Sequence, residues 1–205
     1  MADPVTIAIL AKAPVPGLAK TRLIPALGAD GAAVLQARLI ERTVATANAS
    51  KAGAVTLWTA PDDTHPLFGA MRSQFGVALA RQPDGDLGAR MQAAVAAAGG
   101  PAIVIGTDCP ALTAEHLRDV ADVLRGYDAA LIPAEDGGYV LIGLRRPQPV
   151  LFSAIAWGTA TVAAETRWLL SAHGLTWREL PALWDVDTPD DLDRLRREGF
   201  SALLG

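Results

Sequence analysis

Apolar residues in this chain fall into two kinds of run. Short, mostly apolar runs cover Val5 to Ala11, Ala54 to Thr59, Val77 to Ala80, Ala102 to Gly106, Ala129 to Pro133 and Tyr139 to Leu144. They have the length of strands, and most are bounded by Gly, Pro or Asp. Longer segments repeat their apolar positions at helical spacing. From Gly31 to Ala49 the stripe is Val34, Leu35, Leu39, Ile40 and Val44. Further helices are predicted over Leu87 to Ala98, stopped by Gly99-Gly100-Pro101, and from an N-capping Thr113 to Leu124. Two more cover Ala160 to Ala172, stopped by His173-Gly174, and Pro189 to Glu198, with Thr188 as N-cap and Pro189 at the first helical position. Thr176 to Leu180 reads as an edge strand.

Strands alternating with helices of this length predict an α/β protein, a parallel-dominated sheet with helices on both faces. The fifth and sixth strands break the alternation. Ala134-Glu-Asp-Gly-Gly138 is too short to hold a crossover helix, so one antiparallel strand is expected in a mixed sheet. The pattern contains no repeat, linker or low-complexity stretch, and the expectation is one domain over residues 1–205.

Composition narrows the function classes. The 205 residues carry 18 basic and 22 acidic side chains, a net charge of −4, which argues against a nucleic-acid or anionic-membrane footprint. Forty residues are alanine, so much of the 51% hydrophobic content is small side chain. Only three of the basic residues are lysines: Lys12, Lys20 and Lys51. A lone cysteine, Cys109, forms no internal disulfide and reads as a small buried residue. The Met1-Ala-Asp-Pro4 start lacks the positive region of a leader peptide, and the run from Val5 to Ala11 is too short to span a bilayer. The expected compartment is the cytoplasm, with no membrane span.

Several familiar motifs are absent. Lys20-Thr21 after a strand suggests a P-loop, but Ala13 and Ala19 stand where that loop needs glycines. No Gly-x-Gly-x-x-Gly follows the first strand, no Gly-x-Ser-x-Gly elbow occurs, and the three histidines are far apart in sequence.

Three constellations remain. The first is Lys12-Ala-Pro-Val-Pro-Gly-Leu-Ala-Lys-Thr-Arg22, at the carboxyl end of the first strand, where ligands bind in open α/β sheets. Lys12, Lys20 and Arg22 can surround a polyphosphate, Gly17 admits close backbone approach, and Pro14 and Pro16 limit the entropy lost on ordering. The plain alternative is a solvated basic loop. The second is Gly106-Thr-Asp-Cys-Pro110, which delivers Asp108 from a strand end as a metal carboxylate or, alternatively, as a helix cap. The third joins Glu135-Asp-Gly-Gly-Tyr139 to Trp184-Asp-Val-Asp-Thr-Pro-Asp-Asp-Leu192. Asp185 and Asp187 project to one side if that segment is extended, whereas Asp190 and Asp191 fall in a helix's first turn. From chemistry alone Asp187 is either a second metal carboxylate or a turn and capping residue.

Taken together, these segments resemble the GT-A-fold nucleotide-diphospho-sugar transferase superfamily. Within it they are similar to the glycosyltransferase-like radical-SAM/selenodomain-associated transferase family. The matching stretches are Ala11 to Leu23, Gly85-Asp-Leu-Gly-Ala-Arg-Met91, Gly106 to Pro110, Pro133 to Gly143, Trp157-Gly-Thr159 and Asp185 to Leu192. The resemblance implies a three-layer, Rossmann-like α/β/α fold with a nucleotide over the first strand's loop. It places Lys20 and Arg22 on the nucleotide phosphates, with Lys12, Pro16 and Gly17 beside them, and Gly85 and Arg90 on the base side. It implies that Asp108 and Asp187 hold Mg2+ or Mn2+, and that Gly137 and Gly138 line the acceptor side; the acceptor is then expected to approach from the side of Glu135, Asp136, Tyr139 and Trp157. The proline-rich loop departs from the glycine-rich loop of nucleotidyltransferases, so the base does not carry over.

The expected function is metal-dependent transfer from a nucleotide or nucleotide-sugar donor to a small-molecule acceptor. Glycosyl transfer with release of a nucleoside diphosphate and nucleotidyl transfer with release of pyrophosphate both remain open, as does a non-catalytic nucleotide-binding domain. Asp136 is a candidate general base or a turn-forming acid, and Trp157 a stacking platform or a core residue.

Overall fold

The computed structural model describes residues 4–153 and 155–205. Met1, Ala2 and Asp3, whose character argued against a leader, lie outside the described residues. The first strand, β1 (Val5–Lys12), turns Ile7, Ile9 and Ala11 to one face of the sheet and Ala8 and Leu10 to the other. That alternation follows from the strand's two-residue period. The helix α1 (Ile24–Ser50) then leads to β2 (Gly53–Ala60), α2 (Pro66–Phe75), β3 (Ala78–Arg81) and α3 (Leu87–Ala98). The chain continues through β4 (Ala102–Ile105), α4 (Ala114–Val123), β5 (Ala129–Pro133) and β6 (Tyr139–Leu144). The short α5 (Val150–Ser153), α6 (Val162–Ala172), β7 (Trp177–Glu179) and α7 (Pro189–Arg197) complete it.

One seven-stranded sheet results, in the order β3-β2-β1-β4-β6-β5-β7. Among the described strands only β6 runs against its neighbours, antiparallel to both β4 and β5, as the short hairpin required. On one face, α1, α2 and α4 cover Ile7, Ile9, Ile103 and Ile105 with Ile40, Val44, Phe68, Met71, Leu117 and Val120. On the other, α3, α5 and α6 cover Ala8, Val104, Leu131 and Ile142 with Met91, Val95, Phe152 and Leu170. A third cluster, Leu23, Leu35, Leu39, Trp184, Val186, Leu192 and Leu195, fastens the C-terminal segment and α7 to α1. This is the three-layer α/β/α architecture with a mixed sheet and one antiparallel strand.

The order of the strands creates the site. From β1 the chain steps outward to β2 and β3, then crosses back to place β4 on the other side of β1. The loops after β1 and β4 therefore leave in different directions and open a crevice at their carboxyl ends.

The short α5 has no counterpart in the pattern-based elements, and three further details differ from them. Helix α1 begins at Ile24, with Pro25 in its first turn, and is broken at Gly28 (φ 71°, ψ 170°) before the apolar stripe starts. A glycine in that conformation ends one short helical piece and lets the next begin, so the periodicity registers only the second. Helix α2 escapes the pattern because only Phe68 and Met71 bury on it; a His65 ring nitrogen accepting from Leu67 N and Pro66 in the first turn set its start. Helix α6 starts at Val162, after Thr161 and Glu165 have joined their side chains at 2.6 Å. Among the described residues, one helix, 21–50, is long and apolar enough to cross a membrane, but its stripe packs on the sheet.

At the start of β2, Gly53 lies against Val5 of β1, and a Cβ there would stand 1.7 Å from the Val5 carbonyl oxygen. The β1–β2 pairing thus has no room for a side chain at this point. Gly53→Ala is expected to destabilise the protein by about 1 to 3 kcal/mol through forced backbone displacement. Urea denaturation checks this: a lower midpoint at unchanged slope supports it, and an unchanged midpoint contradicts it.

Candidate functional site

Within the loop after β1, Leu18 N and Ala19 N both donate to Val15 O at 3.0 Å, and Gly17 takes a positive φ of 80°. The tight turn buries Ala19 and leaves Lys20 in the left-handed region (φ 46°, ψ 45°). That conformation costs about 1 to 3 kcal/mol for a residue with a side chain and persists only where surrounding contacts impose it. The contacts here belong to the ammonium group. Lys20 Nζ donates to Val186 O at 2.5 Å and lies 2.8 Å from Asp108 Oδ1, with only 4% of its side chain exposed.

This one ammonium joins three segments: the loop after β1, the end of β4 and the strand-like stretch before α7. Val186 N in turn donates to Asp108 O at 2.8 Å, which holds residues 185–187 alongside Asp108. Val186 points into the core, and Asp185 and Asp187 both face the crevice, as their spacing predicted. Arg22 pairs with Asp187, and both side chains of that pair are exposed.

The resulting cleft has a volume of about 460 Å³, within the range of small-molecule sites. Of the residues expected from sequence, Lys12, Lys20, Arg22, Asp108, Asp187 and Tyr139 line it. Lys12 makes no ion pair among the described residues. Asp185 carries no such pair either. Burial and the charges of Asp136 and Asp108 push its carboxyl up to about 6, against the opposing pull of Lys20.

The other expected residues stand further back. Pro16, Gly17, Gly85 and Arg90 do not line the cleft, and Arg90 Nε is buried without a hydrogen-bond partner among the described residues. Glu135 holds Arg194 of α7 through two bonds of 2.6 and 3.0 Å, and that guanidinium keeps its carboxyl below the usual range. Asp136 Oδ1 accepts from Gly138 N at 2.9 Å, the turn-forming part of its two readings. Gly137 (φ 95°) approaches residue 160 so closely that a Cβ would sit 2.1 Å from the Ala160 oxygen. Trp157 lies behind the cleft: its ring meets Tyr139 edge-on at 6.3 Å, and Gly88 makes room for its Nε1. Trp157 Nε1 is buried without a partner among the described residues, and the half-buried ring packs beside Tyr139. Burial raises the Tyr139 hydroxyl above the phenol range, and its Oη donates to Met91 Sδ at 3.8 Å. Cys109 is buried with its thiol pushed up to about 12, the small core residue expected.

Among the cleft residues that sequence did not single out as site residues are the polar Asp185, Thr107 and Gln36. The spacing of Asp185 from Asp187 already contained the first. Gln36 left a signal too, a polar residue between Leu35 and Leu39 on the buried side of α1.

Among the described residues, no three carboxylate, imidazole or thiol groups gather closely enough to enclose a metal ion. Asp108 Oδ1 is taken by Lys20 and by the Thr107 hydroxyl at 3.3 Å, whereas Oδ2 receives no hydrogen bond from a described residue. The donor set fits a cation that takes one or two carboxylate oxygens and completes its shell with phosphate and water, as Mg2+ does.

The fold and cleft are those of a GT-A-like α/β protein. Along its whole length the chain resembles a proposed nucleotide-diphospho-sugar transferase from Desulfovibrio desulfuricans G20, at 30% identity and a TM-score of 0.84, with 94% of that chain covered. It belongs to the DUF2064 family, described as uncharacterized protein conserved in bacteria, whose pattern matches residues 43–159. A nucleotidyl transferase from Methanothermobacter thermautotrophicus shares the fold at 18% identity and a TM-score of 0.68, over 98% of this chain and 100% of that one. So does Rv0371c of Mycobacterium tuberculosis H37Rv, solved in complex with manganese, at 21% identity and a TM-score of 0.56, over 94% of this chain and 98% of that one. No curated protein matches the chain.

Because Lys20 neutralises Asp108 and ties down Val186, its removal leaves a half-buried carboxylate without its cation. Lys20→Met is expected to cost about 1 to 2 kcal/mol, less than a fully buried pair because Asp108 is 46% exposed. Thermal denaturation reads this as a fall of several degrees in Tm. An unchanged Tm would show that the tie does not hold the C-terminal segment.

Proposed function

We propose that this protein is a transferase that takes a nucleotide-diphospho-sugar donor in the cleft between the loops after β1 and β4, with a divalent metal ion. The observation that carries the reading is the meeting of Lys12, Lys20 and Arg22 with Asp108, Asp185 and Asp187 in one cleft at a sheet's topological switch point. Cations beside carboxylates suit a polyphosphate that arrives with a metal ion, and poorly suit an apolar or cationic ligand. The likeness to the Desulfovibrio protein supports the same class.

In this reading the donor diphosphate lies across the β1 loop. Lys12, free of other ion pairs among the described residues, reaches the phosphates directly. Arg22 turns to them from an exposed pair with Asp187, which costs little to break. Lys20 stays at Asp108 and adds positive potential from beneath. Asp108 and Asp187 would hold Mg2+ or Mn2+, which when bound neutralises charge developing on the leaving phosphate. The acceptor approaches from the Tyr139 side, where the start of β6 lines the cleft.

A second reading is nucleotidyl transfer from a nucleoside triphosphate. Three cations on a single loop favour it, because they match a triphosphate as well as a diphosphate.

Calorimetric titration with a panel of nucleotide sugars and nucleoside triphosphates, with and without Mg2+, tests both. We expect one class to bind with Mg2+ present and to lose about tenfold in affinity in Lys12→Ala and in Arg22→Ala, each removing one charge-assisted contact. Release of a nucleoside diphosphate on turnover supports glycosyl transfer, and release of pyrophosphate supports the second reading. No binding by either class, or binding indifferent to both substitutions, overturns the assignment.

A further inference from the structure

Gln36 is 4% exposed on α1, on a helix side otherwise filled by Leu35, Leu39 and Ile40. A buried amide is costly unless its hydrogen bonds are met. Its Nε2 lies 3.4 Å from Lys12 O and 3.2 Å from Thr107 Oγ1, and Thr107, also 4% exposed, places that oxygen 3.3 Å from Asp108 Oδ1.

The direction of each bond follows from chemistry. A backbone carbonyl only accepts, so the group facing Lys12 O must be the amide NH2 and not the amide oxygen. The same NH2 faces Thr107 Oγ1, which must therefore accept there. Having accepted from Gln36, the hydroxyl directs its single proton at Asp108 Oδ1, which carries no proton of its own when ionised. With Lys20 at the same oxygen, Oδ1 is filled, and Oδ2 of this cleft-lining residue receives no hydrogen bond from a described residue.

We infer that Gln36 is a positioning residue, acting through the Thr107 hydroxyl to fix which oxygen Asp108 presents to the divalent ion. The inference rests on the metal-dependent reading above and deepens it. It also couples two halves of the cleft, because the amide that sets Thr107 holds the carbonyl of Lys12, the last residue of β1, where the phosphate-facing loop leaves the sheet. Polar partners behind a metal-binding carboxylate are worth about tenfold or more in metal affinity.

The test is binding of Mn2+ alone, followed by electron paramagnetic resonance, in Gln36→Met, Thr107→Val, Thr107→Ser, the Gln36→Met/Thr107→Val double variant and Asp108→Asn. Gln36→Met keeps the length of the side chain and removes its donor; Thr107→Val keeps the shape and removes the hydroxyl. We expect Gln36→Met and Thr107→Val each to raise the Mn2+ Kd about tenfold, and the double variant to be no worse than Thr107→Val. Thr107→Ser, which retains the hydroxyl, is expected to bind as the unaltered protein does. Additive losses in the double variant, or unchanged binding in both single variants alongside loss in Asp108→Asn, overturn the relay and leave the metal site standing. Unchanged binding in Asp108→Asn overturns the metal-dependent reading and the relay with it. If Gln36→Met does not fold, the contrast between Thr107→Val and Thr107→Ser decides.

Discussion

The cleft is centred on a single buried ammonium. Lys20 reaches from a strained loop to touch both Asp108 and the carbonyl of Val186, a polar tie at the point where the Val186 N–Asp108 O bond and the Leu23–Trp184–Val186 cluster already bring three distant segments together. Its left-handed backbone is intelligible in those terms: the loop accepts an unfavourable conformation because the side chain at its end makes a polar contact that water cannot replace at that depth. The sheet supplies the frame for this contact. Parallel strands β1 and β4 end side by side, so Lys12 and Asp108 leave the sheet at the same edge.

The acids before α7 show how local structure and site are combined. Burial alone would raise the Asp191 carboxyl, but bonds from Asp187 N, Thr188 N and Thr188 Oγ1 outweigh it and hold the group below its usual range. That carboxylate is thereby committed to starting the helix. Asp187 gives its backbone N–H to the same cap and turns its side chain to the cleft. One short acidic run thus divides its members between a helix start and a site, according to which way each side chain projects.

Much of this was legible in the chain. The strand and helix periods marked every strand of the sheet, and the five-residue hairpin before Tyr139 foretold the antiparallel β6. Helix α2 was not legible because two buried residues make too short a stripe, and α1 hid its first turns behind Gly28. Among site residues, those standing at strand ends were visible, because a charge after an apolar run stands out. The hairpin acids were less so. Glu135 and Asp136 look like cleft acids in sequence, yet one is held by Arg194 and the other by the turn's own backbone. Such engagements depend on α7 and on local turn geometry, which no periodicity encodes. Gln36 was hidden for the opposite reason, as a neutral polar residue inside an apolar stripe.

The balance of charge in the cleft has a kinetic side. Lys12, Lys20 and Arg22 are matched in number by Asp108, Asp185 and Asp187, and two of the three cations already touch an acid. Seen from beyond about 10 Å, where salt screens what remains, such a cleft carries almost no net field. It does not draw in a bare polyanion from solution as a uniformly basic groove would. Encounter is then left to diffusion and to short-range fit, and the on-rate would change little with ionic strength.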